Sequence, residues 1–108
     1  MEVQKTIAGN SCELFVTGRI DGDGAHLLDR ALSEVVFGRV KDGADAIKTI
    51  YVNLSTATFL GSAGFGHLMR YRLSMRKRGG QLFVTRPSLE VTEVLKMAGL
   101  FDLLAEKM

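Results

Sequence analysis

The first twenty residues contain two short runs, EVQKTIA and CELFVTG, that partly alternate between apolar and polar positions and are rich in β-formers. The turn residues AGNS stand between them, and this pattern predicts a hairpin. From Ala25 the apolar positions Leu27, Leu28, Ala31, Leu32, Val35 and Val36 recur at helical spacing. They predict a helix over about 24–37, with Gly38 in C-cap position. VKDGADAIK is a polar connector. TIYVNLS is β-rich and nearly all apolar, the pattern of a central strand covered on both faces, and TATF leads out of it. A second helix is expected to start near Ser62 or Gly64 and to end at Gly79-Gly80. Its apolar arc is Phe65, Leu68, Met69, Tyr71, Leu73 and Met75, with Arg72 and Arg76 inside the arc: either these long basic side chains snorkel at its end, or the packing face is narrower than this arc. QLFVT reads as a further strand. RPSLEVTEVLKMAGL reads as a helix with Pro87 just outside it, Ser88 as N-cap and Gly99 past its end. FDLLAEKM makes a last turn or short helix.

The element order is therefore β-β-α-β-α-β-α-α. Strands alternating with helices imply parallel neighbours joined by right-handed crossovers. No repeat, linker or low-complexity segment divides the 108 residues, so residues 1–108 are expected to form one domain. A hydrophobic content of 46% against 24% charged is a globular balance, not a disordered one. The single cysteine, Cys12, excludes an internal disulfide. With two histidines it also leaves too few soft ligands for zinc, so neither a metal nor a cofactor is expected. The N-terminus lacks the basic-then-apolar plan of a signal peptide, and no apolar run is long enough to span a membrane. A reducing cytoplasm is the simplest location.

Net charge is only +2, but no Asp or Glu occurs between Asp45 and Glu90. Lys48, Arg70, Arg72, Arg76, Lys77, Arg78 and Arg86 fall in that interval. A positive face can steer a partner. The plainer reading is a helix C-terminus whose dipole favours basic residues. MRKRGG is short and has no interleaved aromatics, so nucleic acid is not an expected partner.

The chemistry is concentrated in FLGSAGFGHLM, residues 59–69, where Ser62 lies among small residues at a strand-to-helix junction. As a hydrolase nucleophile it fits poorly, because the elbow motif needs glycine at position 60, which is Leu60. The candidate bases are His26 and His67, but His67 is about 140° around the helix from Ser62 and, as a lone histidine on a helix, reads as a surface residue. GFGHLM lacks the rest of a dinucleotide fingerprint, and DGDG at 21–24 reads as a turn rather than a calcium loop. Two roles suit Ser62, and they are compatible. It can cap the helix by accepting a backbone N–H. It can also carry a phosphate, which the free N–H groups and dipole of a helix N-terminus favour. Small neighbours, Gly61, Ala63 and Gly64, leave the hydroxyl open to a kinase.

VTGRIDGDGAHLLDRAL, IYVNLSTATFLGSAGFGHL, RKRGGQLFVTRPSLEVTEVLKMAGL and FDLL, in that order and spacing, resemble the STAS domain family of the anti-sigma-factor antagonist type. The resemblance covers nearly the whole chain. It implies a small α/β fold, a mixed sheet of four or five strands with three to four helices mainly on one face. It also implies a binding module rather than an enzyme. Such a protein sequesters an anti-sigma factor that is also a serine kinase, is released when that kinase phosphorylates it, and is reset by a phosphatase. The resemblance places the acceptor at Ser62. It places partner contacts at Gly61, Ala63, Gly64 and Phe65, at the rim residues Asp21, Gly22 and Asp23, and at Asn53 on the central strand. The family's usual Asp before the acceptor is Gly61 here, and its usual second Ser is Ala63. A monomer or weak dimer is expected. The alternative within the family is a constitutive, unphosphorylated scaffold subunit of a stressosome-like or transporter complex.

Overall fold

A computed structural model describes residues 2–37 and 47–98. Most of the polar connector, the expected caps Gly38 and Gly99, and FDLLAEKM lie outside the described residues. The elements are β1 (Glu2–Ala8), β2 (Ser11–Ile20), α1 (Asp23–Phe37), β3 (Thr49–Leu60), α2 (Ser62–Lys77), β4 (Gln81–Thr85) and α3 (Leu89–Ala98). The strands form one sheet in the order β1-β2-β3-β4. β1 is antiparallel to β2, while β2, β3 and β4 run parallel to one another.

The hairpin closes through Gly9-Asn10, with Gly9 at φ +62 and Ala8 paired to Ser11. A positive φ at the first of two loop residues is the type II′ arrangement, which matches the twist of the flanking strands. α2 ends in a Schellman motif. Gly79 takes φ +80, Gly79 N–H donates to the Arg76 carbonyl at 3.1 Å, and Gly80 N–H donates to the Met75 carbonyl at 2.8 Å. Ser88 caps α3, its Oγ accepting the Val91 N–H at 3.2 Å.

Alternate residues of the strands form the core floor: Cys12, Leu14 and Val16 of β2, Ile50 and Val52 of β3, Leu82 and Val84 of β4. α1 covers them with Leu28, Leu32 and Val36, and α2 with Leu68, Tyr71 and Met75. The two helices pack against each other, so both lie on this face of the sheet, while α3 packs on β3 and buries Val91 and Leu95. Burial pushes the Cys12 thiol up, away from the reactive thiolate.

Four expectations change. TATF does not lead out of the central strand but continues it to Leu60. The reason is a pair of bulges. Phe15 pairs with Asn53 but Thr17 with Thr56, and Gly18 pairs with Ala57 but Arg19 with Phe59. β3 thus carries one extra residue at each shift, and its buried apolar positions run 50, 52, 54, 57, 60 instead of alternating. The central strand is only partly covered on its second face: Tyr51, like Phe15 and Phe83 on its neighbours, is half-buried, its ring stacking on Phe83 at 6.0 Å, while Asn53 further along is buried. The apolar arc of α2 is narrower than its sequence suggests, because Leu73 is 55% exposed. Last, His67 is not a surface histidine. It is half-buried against α1, with Nδ1 3.8 Å from Asp29.

Asp29 joins α1 to α2. It accepts hydrogen bonds from the Tyr71 hydroxyl at 2.5 Å and from Arg70 at 2.8 Å. The Tyr71 hydrogen bond, helped by His67 and Arg70, holds the Asp29 carboxyl below the usual carboxylate range. A lowered folded-state pKa contributes stability that is complete above the unfolded value of about 4 and is lost as pH falls through the folded value. Replacing Tyr71 by Phe is therefore expected to flatten the acid loss of stability below about pH 5. Urea midpoints measured against pH for wild type and Tyr71→Phe check this, and parallel curves would contradict it.

Glycines on α2 give a second prediction. A Cβ on Gly64 would lie 2.6 Å from Ile20 Cγ2 and 3.2 Å from the Ile20 carbonyl, whereas a Cβ on Gly66 meets nothing within 4 Å. Gly66→Ala is expected to stabilise by about 0.5–1 kcal/mol through helix propensity. Gly64→Ala is expected to destabilise by about 1–2 kcal/mol, because overpacking exceeds that gain. Chemical denaturation of the two variants separates them by sign.

Candidate functional site

The parallel β2 and β3 each lead directly into a helix, so the N-termini of α1 and α2 emerge at the same edge of the sheet, the carboxyl edge of the strands. Ile20 pairs with Leu60 as the last rung. Gly61 N–H then donates to the Ile20 carbonyl at 2.9 Å, which ties the start of α2 to the end of β2.

Gly61, not Ser62, is the N-cap residue of α2, with extended φ −82 and ψ 172 and no side-chain cap. This corrects the expectation that Ser62 caps the helix. Ser62 is the first helical residue, exposed, and its hydroxyl engages nothing among the described residues. The first intrahelical bond runs from Phe65 N–H to the Gly61 carbonyl at 3.0 Å. The N–H groups of Ser62, Ala63 and Gly64 are thus the unpartnered donors of a helix start. No acidic residue stands in this first turn. An added anion at Ser62 would meet open donors and the positive end of the helix dipole.

Ala63 is exposed beside Ser62, while Gly64 is buried and Phe65 packs on the core. Gly64 thus serves close approach to Ile20 rather than outward contact. Asp21 borders the site: a Cβ on Gly61 would lie 3.3 Å from Asp21 Cβ and 3.2 Å from the Phe59 ring. Gly22 at φ +47 and Asp23 complete the turn into α1, closed by Gly24 N–H donating to the Asp21 carbonyl at 2.7 Å. Asp21, Gly22, Asp23, Gly61, Ser62 and Ala63 therefore share one rim.

Asn53 is elsewhere. It lies seven positions before Leu60 on β3, is 8% exposed, and uses its amide locally. Nδ2 donates to Glu13 at 3.1 Å, and Oδ1 accepts the Ser55 N–H at 3.0 Å, which satisfies the first bulge. Sequence reading missed Arg19 and Phe59. Arg19 donates to Asp21 at 2.8 Å and its guanidinium stands 4.5 Å over the Phe59 ring, so the two floor the rim beside Gly61. The bulge before Phe59 brings them opposite each other, and the sequence carries no signal for it. Among the described residues no cluster of His, Cys, Asp and Glu could hold a metal, and no helix is long and apolar enough to cross a membrane.

Residues 2–108 match the STAS domain family, and the chain belongs to it. No curated protein sequence matches the chain. Among solved structures it is similar to the anti-sigma factor antagonist SpoIIAA in its unphosphorylated form, with a TM-score of 0.80 and 19% identity over 96% of this chain and 86% of that one. An anti-sigma factor antagonist from Mycobacterium paratuberculosis superposes with a TM-score of 0.74 and 22% identity, over 95% of this chain and 81% of that one. The STAS domain of a SulP transporter from Vibrio cholerae gives 0.61 and 18% over 94% of this chain and 73% of that one. At these identities the likeness establishes the fold, a four-stranded mixed sheet with three described helices.

Proposed function

We propose that this STAS domain is an anti-sigma-factor antagonist whose docking to a kinase-type anti-sigma factor is switched by phosphorylation of Ser62, with a phosphatase resetting it. The observation that carries the reading is the state of Ser62. It is exposed, its hydroxyl is unengaged among the described residues, and it heads a helix whose first turn has open N–H donors and no acid. Similarity to SpoIIAA supports the same reading. The docking surface is the rim of Asp21, Gly22, Asp23, Gly61, Ser62 and Ala63, with Gly64 and Phe65 supporting it from below. A phosphate adds nearly two negative charges beside Asp21 and Asp23, which a partner bound to the neutral hydroxyl does not accommodate. The nucleotide belongs to the partner, and the domain acts by binding, without catalysis.

The test is intact mass with site localisation on protein from its native host, compared with Ser62→Ala. A single phosphate at Ser62, absent from the variant, is the expected result. Ser62→Asp is expected to keep the fold, gain about 0.3–1 kcal/mol from the helix dipole, and lose partner binding at least about ten-fold. Protein that carries no phosphate in any growth phase yet still co-purifies with partners would instead support a constitutive scaffold, the reading that similarity to the SulP domain favours.

A further inference from the structure

A groove runs between β1 and α1, on the flank of α1 away from α2. Its floor is apolar, made by Val3, Leu14, Leu27 and Ala31, and Leu27 is 41% exposed there. Its rim holds two acids, Glu2 and Glu34, and two bases, Lys5 and Arg30. β1 is the edge of the sheet among the described residues and is exposed along its length apart from Val3. An edge strand of seven residues offers a row of unpaired N–H and C=O groups to another strand. A strongly charged partner would leave half of this rim unmatched. A balanced rim around an apolar floor is complementary to itself, as a two-fold interface requires.

We propose that this face binds a second copy of the chain, β1 pairing antiparallel with β1 about a two-fold axis normal to the sheet. Such an axis keeps both copies the same way up, so the numbers of residues that pair sum to an even value. Centring on Gln4 places Val3 against Lys5 and Glu2 against Thr6, and keeps the two Lys5 side chains off each other. The groove spans Glu2–Lys5 on the strand and Leu27–Glu34 on the helix, so the same axis passes beside the middle of that helical stretch. The two α1 helices then run antiparallel, with Arg30 of each less than one helical turn from Glu34 of the other, within reach of the long Arg side chain. Three strand spacings separate the two β2 strands by about 14 Å, a gap that Arg and Glu side chains bridge above Leu27. The axis reverses strand direction, so the two Ser62 rims lie at opposite edges of an eight-stranded sheet and stay open.

The test is sedimentation equilibrium of the full chain from micromolar to millimolar concentration, with Leu27→Asp, Arg30→Glu and Glu34→Arg, each first checked for a wild-type thermal melt. Wild type is expected to form a concentration-dependent dimer, and each single variant to weaken it about ten-fold or more. An equimolar mixture of Arg30→Glu and Glu34→Arg is expected to restore the dimer, because each supplies the charge the other lacks. β1 amides should gain hydrogen-exchange protection as concentration rises. A wild-type monomer at millimolar concentration overturns the proposal. So does a dimer that Leu27→Asp leaves intact, or a charge-swapped mixture no tighter than its components.

Discussion

The bulged pairing of β2 with β3 is the constraint on which the rest of the domain depends. A regular parallel ladder would send residues 56, 58 and 60 to the core face. Thr56 and Thr58 would then be buried and Ala57 exposed. Two extra residues on β3 re-phase it, so that Ala57 and Leu60 stay buried while Thr56 turns outward to Thr17 at 3.0 Å. Each bulge frees backbone groups that need partners. Asn53 supplies one by accepting the Ser55 N–H, and the α3 cap supplies another, the Ser88 N–H donating to the Leu54 carbonyl at 3.0 Å. The strand therefore reaches Leu60 opposite Ile20, and α2 has to begin there.

The close approach at Gly64 follows from that register. Ile20 and Leu60 end their strands side by side, and α2 turns back over them with no room for a side chain at position 64. Burying Gly64 against Ile20 rotates Ser62 and Ala63 to the outside, since they precede it by two and one positions on the helix. The exposure of the candidate acceptor and the packing of the helix are thus one geometric event. That is why the same short glycine-serine motif carries both a structural and a chemical signal.

This division marks what could be read from the sequence. The helices were legible because Leu28, Leu32 and Val36, and Leu68, Tyr71 and Met75, keep the 3.6-residue period of a one-sided core. The turn at Gly9-Asn10, the Schellman glycines and the Ser88 cap were legible because each is a local demand on one residue type. The length of β3 was not, because a bulge breaks the period of two without any composition of its own. For the same reason Arg19 and Phe59 were overlooked, and the amide of Asn53, which the resemblance places among the partner contacts, is spent on the bulge and on Glu13. Ser62 was placed one position early, as cap, because Gly61 satisfies the cap position by backbone alone.

Gly61 also bears on the proposed switch. A side chain there would crowd the Phe59 ring at 3.2 Å, and an aspartate would set its carboxylate beside Asp21. The Arg19 that neutralises Asp21 already lies over Phe59, so the rim has one guanidinium for the two carboxylates of Asp21 and Asp23. Glycine at 61 avoids both the crowding and a further charge, and it leaves the first turn of α2 free of acids. An incoming phosphate on Ser62 then faces less like-charge repulsion than it would beside an aspartate. The replacement of the family's usual aspartate therefore weakens the case for a shared kinase-recognition contact. It does not weaken the capacity of the helix start to hold the phosphate.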